Sequence, residues 1–260
     1  MQTPAMPGRD RMMTMNAKKM AAMTIGLAAM LLFGVAPATA EVVLVSFTVT
    51  ADGQTATREF LVSTCDGEPV DQTLVTPDEP MDLLVGGTRL ARITALQVAT
   101  DSDPYVNLRF AVEAGSVDTT FDVVSALVSF DALINPQAYA TAGITLTSDS
   151  DGALITGLLD EKTYQARYNG TTVYASLAQG FLIGGDVTLT GSERSPATGY
   201  DTIFGAVSSI QSEFNFTLSA MDQASGTSRF EVIAGVPEPA TMSLLAIGAL
   251  ATLIRRRRNA

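Results

Sequence analysis

Apolar and polar residues alternate with a period of two along most of the middle of the chain. Val106, Leu108, Phe110 and Val112 fall on one side of such a run, with Asn107, Arg109 and Glu113 on the other. That is the spacing of a half-buried strand, whose successive side chains point to opposite faces. Phe214, Phe216 and Leu218 repeat the pattern against Glu213, Asn215 and Thr217, as do Phe230 and Val232 against Arg229 and Glu231. Thr and Val are abundant in these runs, as strands favour. The stretch FDVVSALVSFDALI, residues 121–134, also fits one helix face; it is assigned to strand.

Turn formers punctuate the runs at short intervals. Asp52-Gly53 predicts a first hairpin joining EVVLVSFTVT to TATREFLVST. Asn169-Gly170, between TYQAR and TVYASL, predicts another, because Asn-Gly tolerates the positive φ of a two-residue type I′ turn. Asp66-Gly67, Gly86-Gly87, Asp151-Gly152 and Gly184-Gly185 mark further turns or bulges. Many short strands at this spacing predict an all-β fold, an antiparallel β-sandwich of which the jelly roll is one form. No fixed-period repeat is visible, which argues against a solenoid or propeller. TPDEP at 76–80 reads as a linker, but the segment before it is too short to fold alone, so residues 41–235 are taken as one domain.

The alternation stops at both ends. Lys18 and Lys19 precede the uncharged run MAAMTIGLAAMLLFGV, and Ala38-Thr39-Ala40 follows it. This is the layout of a secretory signal peptide over residues 1–40, with cleavage between Ala40 and Glu41 and Ala38 as the other small recognition residue. Residues 1–14 precede a natural-looking start at Met15 and read as an over-called start. No cysteine follows the cleavage site, so a lipid anchor there is not expected.

At the other end, Val236-Pro237-Glu238-Pro239 leads into Ala240–Ile254, an uncharged stretch of 15 residues, and then Arg255, Arg256, Arg257 and Arg258. As a helix the stretch spans roughly 22 Å at 1.5 Å per residue, short of the roughly 30 Å hydrocarbon core. The arginines are costly to pull through a bilayer, so the positive-inside rule leaves them cytoplasmic and residues 41–236 outside. The two prolines fix φ and lack N–H donors, so the tripeptide joins neither a strand before it nor a helix after it.

This order of parts resembles the PEP-CTERM sorting signal of Gram-negative bacteria, over residues 236–260. The resemblance implies that Pro237, Glu238 and Pro239 are recognised by exosortase, a membrane-embedded processing enzyme. It implies that 240–254 holds the substrate in the membrane and that Arg255–Arg258 stop its transfer. It further implies an exported, inner-membrane-tethered precursor that ends at the cell surface or in the extracellular matrix, alongside exopolysaccharide. The segment Gly226–Val232 resembles the lead-in strand of such proteins.

Charge changes the picture once the ends are set aside. Residues 41–236 hold 25 Asp or Glu and 8 Lys or Arg, a net charge of −17 against −11 for the whole chain. So acidic a surface repels nucleic acid and anionic lipid, and neither is expected as a partner of the exported domain. The chain has no histidine and no tryptophan, which excludes His-based triads, His-ligated zinc and Trp sugar platforms. Cys65 is the only cysteine, so no internal disulfide forms.

Asp101-Ser102-Asp103-Pro104 and Asp149-Ser150-Asp151-Gly152 pair carboxylates on predicted loops, an arrangement calcium uses. Neither completes an EF-hand, and the same residues are ordinary turn formers, so Asp101, Asp103, Asp149 and Asp151 are assigned to turns and no cofactor is expected. Asn169-Gly170-Thr171 and Asn215-Phe216-Thr217 fit the glycosylation triplet but read as turn and strand. No phosphate loop, nucleophile elbow or metal quartet is present, so an enzyme is not expected. The reading is a structural or adhesive protein of a biofilm matrix. The alternatives are a carbohydrate-binding module using Tyr and Phe, with or without calcium, and a carboxylate-based polysaccharide hydrolase.

Overall fold

The computed structural model describes residues 40–64, 71–76, 79–101 and 103–235. The predicted signal peptide up to Thr39, Cys65, the predicted Asp66-Gly67 turn, Ser102 and the whole sorting tail from Val236 lie outside the described residues. The strands in chain order are β1 (Ala40–Ala51), β2 (Gln54–Thr64), β3 (Thr73–Thr76), β4 (Met81–Val85), β5 (Thr88–Asp101) and β6 (Tyr105–Ala114). There follow β7 (Thr119–Ser125), β8 (Val128–Ile134), β9 (Gln137–Thr147), β10 (Ala153–Gly157), β11 (Lys162–Tyr168) and β12 (Thr172–Gln179). The last are β13 (Phe181–Ile183), β14 (Thr188–Ser195), β15 (Asp201–Thr202), β16 (Ala206–Leu218) and β17 (Gln223–Ile233).

They form two antiparallel sheets. The first runs β12-β11-β16-β7-β1-β2, with β8 and β10 also pairing along β16 and β13 along β10. The second runs β14-β9-β17-β6-β5-β3, with β15 on β9 and β4 on β5. The predicted sandwich is what the chain forms.

The alternation read from the sequence places the core. On β16, Phe214, Phe216 and Leu218 are fully buried, and on β6 so are Val106 and Leu108, with Phe110 nearly so. An aromatic run crosses between the sheets. Phe110 of the second sheet meets Phe214 edge-on at 5.0 Å and Phe47 at 5.9 Å, and lies stacked 6.1 Å from Phe216, itself stacked on Phe121 at 5.4 Å. Such offset and edge contacts add to area burial. Tyr164 is also fully buried, its phenol hydrogen-bonded to the Ser212 hydroxyl at 2.9 Å; burial pushes its pKa up to about 12.

The outer faces are polar, and threonine explains much of their order. Thr48 and Thr57, Thr50 and Thr55, and Thr120 and Thr217 join hydroxyls across neighbouring strands of the first sheet at 3.0–3.1 Å. Thr145–Thr190 and Thr147–Thr188 do the same on the second at 2.8 and 3.0 Å. Cross-strand pairs of this kind fix register.

Two turns show how local chemistry sets the topology. Asp52 and Gly53 both have positive φ, 48° and 70°, and close β1 onto β2 with Ala51 opposite Gln54, the predicted two-residue hairpin. Asn169 and Gly170 also have positive φ, but the last pair is Tyr168 with Thr172, so the loop holds three residues where two were expected. Asn169 explains the extra length: its carboxamide Nδ2 donates to the Ala206 carbonyl at 2.8 Å and its Oδ1 accepts from the Ser208 amide at 2.9 Å. The tip is tied to β16 and not closed on itself. The ambiguous stretch 121–134 is strand, broken at Ala126-Leu127 into β7 and β8, which pair successive parts of the same side of β16.

Gly226 on β17 sits opposite Phe110, and a Cβ there would lie 2.4 Å from two atoms of that ring. The ring thus occupies space that only glycine leaves free. Gly226→Ala is expected to destabilise the domain by about 1–3 kcal/mol through overpacking, read as a lower midpoint in urea denaturation.

Candidate functional site

Because the strands of the second sheet are in register, residues far apart in sequence line up in rows across its outer face. One row runs Ala99, Asn107, Arg229, Thr141, Arg194 from β5 to β14. The next runs Gln97, Arg109, Thr227, Gly143, Ser192. Together they line a groove of about 670 Å³. Its floor is small, since Ala99, Thr141, Gly143 and Thr227 carry little side chain, and three arginines rise from it.

A third row, Asp101, Tyr105, Glu231, Tyr139, bounds the groove at one end. The Arg229 guanidinium lies over the Tyr105 ring at 4.4 Å, and Arg194 lies over Tyr139 at 4.7 Å. Tyr139 and Tyr200 meet edge-on at 5.0 Å. Their hydroxyls donate to the two oxygens of Glu231, at 3.2 and 3.0 Å, and Arg229 Nε donates to the same carboxylate at 2.7 Å. Burial, and then the Glu231 charge, raise the phenol pKa of Tyr139. Burial works most strongly against the Arg229 charge, but the bond to Glu231, the charge of that carboxylate and Tyr139 together outweigh it, and the guanidinium pKa is raised. Arg194 is fixed further by donating to the Gly199 carbonyl at 2.8 Å. Cation–π contacts of this geometry hold a guanidinium in place at modest energy, about 0.5–1 kcal/mol at exposed sites.

The outer face of the first sheet carries a different cluster. Arg167 pairs with Glu213 at 2.8 Å and donates to Gln165 Oε1 at 3.0 and 3.2 Å. Asp122 stands opposite Asn215 in the register, and each has a buried oxygen, Oδ1, without a hydrogen-bond partner. Burial raises the pKa of Asp122 and of Glu213, while Arg167 lowers both. An acid whose folded pKa is raised holds its proton more tightly folded than unfolded. Stability is therefore lost as pH rises from the ordinary carboxylate values, 3.8 and 4.5, through the raised ones. Asp122→Asn supplies a donor to Asn215 without a charge. It is expected to raise stability at pH 7 by about 1 kcal/mol and to flatten the decline expected as pH rises above the ordinary carboxylate values, measured by urea denaturation across pH.

The two predicted aspartate pairs do not meet. Asp101 Oδ1 accepts from the Asp103 amide at 2.9 Å, and Asp149 Oδ1 accepts from the Asp151 amide at 3.1 Å, so each closes its own turn. They lie at opposite ends of the second sheet, Asp101 in the row of Glu231 and Asp149 just past Thr147, the partner of Gln223; Glu231 and Gln223 are roughly 26 Å apart along β17 at about 3.3 Å per residue. Among the described residues no three His, Cys, Asp or Glu side chains are grouped to hold a metal ion. Ala40 and Glu41, at the predicted cleavage point, open β1. Ala38, Pro237, Glu238, Pro239 and Arg255–Arg258 fall outside the described residues, and no helix among those described is long and apolar enough to cross a membrane. Of the phenylalanines offered for sugar binding, Phe47, Phe110, Phe121, Phe214, Phe216 and Phe230 are core, while Phe204 is exposed. The groove is served by tyrosine and arginine.

Fold and tail together define a β-sandwich followed by a C-terminal sorting signal. The tail is a PEP-CTERM protein-sorting motif, matched over residues 235–258. No curated protein matches the sequence. Similar solved structures include the enzymatically active domain of tailspike protein 4 of bacteriophage CBA120, at 12% identity and a TM-score of 0.27 over 62% of this chain. The arabinose-bound MgGH51 α-L-arabinofuranosidase follows at 13% and 0.25 over 61%, and the adhesin domain of Epf from Streptococcus pyogenes at 8% and 0.26 over 73%. The matches span 19%, 23% and 58% of those chains respectively. At such scores none of them bears on function.

Proposed function

We propose that this is an exported surface protein whose C-terminal signal is processed by exosortase and whose sandwich serves a structural or adhesive role in an exopolysaccharide matrix. The observation that carries the reading is the PEP-CTERM motif at 235–258, which implies an exported, membrane-anchored precursor destined for the surface. The precursor places Arg255–Arg258 in the cytoplasm and the sandwich outside. Mass spectrometry of the surface-displayed protein is expected to find a C-terminus near Pro237–Ala240 with the arginines removed. Arg258 intact on that form would overturn the reading.

A second reading, a carbohydrate-binding module, is favoured by one observation: the groove of the second sheet, open across five strands and lined by Gln97, Asn107, Ser192 and Thr227, side chains suited to sugar hydroxyls. We assign neither calcium nor catalysis to it. The aspartate pairs are used in turns, and Glu231 commits both oxygens to Tyr139, Tyr200 and Arg229.

A further inference from the structure

We propose that the groove selects an acidic, carboxylate-bearing polysaccharide, with Arg109 and Arg194 as the recognising residues. The inference rests on the second reading above and narrows it to one ligand class.

Its first ground is the distribution of charge. Residues 41–236 carry only 8 cations against 25 acids, yet three of the 8 line this one groove with a single acid, Glu193, which is held by Lys162. Five cations, Arg89, Arg92, Lys162, Arg167 and Arg229, are paired with carboxylates. Among the described residues, Arg58, Arg109 and Arg194 have no such partner, and two of those three are in the groove. In so acidic a chain, a guanidinium left without a carboxylate is available to one brought by a ligand. Guanidinium and carboxylate match as planar, bidentate partners.

The second ground is what the tyrosines do. Arg229 covers the face of Tyr105 and Arg194 that of Tyr139. Those faces are therefore not open for stacking on neutral sugar rings; the rings hold the guanidiniums in position. Fixing Arg194 by Tyr139 and the Gly199 carbonyl lowers the ordering cost of binding.

The third ground is shape. The rows cross five strands, roughly 19 Å at about 4.8 Å between neighbours, over a floor of Ala99, Thr141, Gly143 and Thr227. An extended chain fits that trough better than a compact ligand. The net charge of the domain does not forbid an anionic one. Screening acts over about 8 Å at physiological ionic strength, so the guanidiniums at contact outweigh distant carboxylates.

The test uses surface-displayed protein recovered from cells, in EDTA, with polygalacturonate oligomers as the acidic probe, cello-oligosaccharides as the neutral one and single-stranded DNA as a second polyanion. Binding to polygalacturonate that weakens with salt is expected, with Arg109→Gln and Arg194→Gln each raising Kd about tenfold, the loss of a hydrogen-bonded charge partner. Arg58→Gln, the same charge change on the opposite sheet, is expected to leave Kd unchanged. Equal loss in Arg58→Gln, or equal binding of DNA, would reduce the effect to general polyanion attraction and overturn the proposal. Binding of cello-oligosaccharides that survives Arg109→Gln would remove the acidic-ligand inference and leave the carbohydrate reading standing. No binding to either sugar probe would remove both.

Discussion

Replacing Phe214 with alanine is expected to lower the unfolding free energy by about 3–5 kcal/mol, the cost of a large buried aromatic and the cavity it leaves. Phe214 lies on β16, which pairs with β11 on one side and β7 on the other, and its side chain is fully buried. It touches Phe110 across the sandwich at 5.0 Å and Tyr164 within its own sheet at 4.9 Å. Neither neighbour can collapse into the gap easily, since the Tyr164 phenol is tied to Ser212 and Phe110 already fills the space over Gly226. A loss of that size is a large part of the 5–15 kcal/mol by which domains are stable. Urea denaturation followed by circular dichroism would read it, the chain having no tryptophan. Phe204, 89% exposed, is the contrast: Phe204→Ala is expected to change stability by less than about 0.5 kcal/mol. Similar effects at the two positions would mean that the aromatic run does not organise the core.

The second large effect concerns sorting. Substituting Pro237, Glu238 and Pro239 together by alanine is expected to abolish processing. Precursor that still carries Arg255–Arg258 would then accumulate with the membrane fraction, and the trimmed surface form would vanish. The physical reason is conformational as well as chemical. Proline fixes φ and lacks an N–H, which disfavours both strand and helix in the tripeptide, whereas three alanines would favour helix there. Removing Glu238 also takes away the one charge a reader could grip there. Immunoblotting of fractions with mass spectrometry of the C-terminus decides it. Normal trimming of the triple variant would show that the arginine block or the apolar run, and not the tripeptide, is recognised.

Much of the fold is legible in the sequence because strands carry a two-residue code. The alternation around Phe110, Phe214 and Phe230 assigns the inner face correctly, and Asp52-Gly53 names the first hairpin by its φ requirement. Residues 121–134 are harder because one break at Ala126-Leu127 resets the alternation, and a reset period of two resembles a helix face over short lengths. The groove is not legible. Arg109, Arg194 and Arg229 sit on β6, β14 and β17, separated by up to 120 positions, and only the order β14-β9-β17-β6 brings them to one trough. Pairings between distant strands leave no local trace. The signal that was present is compositional: in a chain so poor in cations, each arginine on the polar side of a strand is worth placing.

The position of β17 has a mechanical consequence. This strand is the last of the sandwich, and it lies inside its sheet, paired with β9 over eleven residues and with β6 over nine. Any form still held by its tail receives tension along β17, and the ladder bonds lie across that direction. Load is then borne in shear, by both ladders at once, and does not peel an edge strand pair by pair. A polymer bound as proposed above would pull on the same strand, which is held by a neighbour on each side. Drawing the domain out by its C-terminus should accordingly need a higher rupture force than unzipping it from β2, which among the described strands pairs with β1 alone.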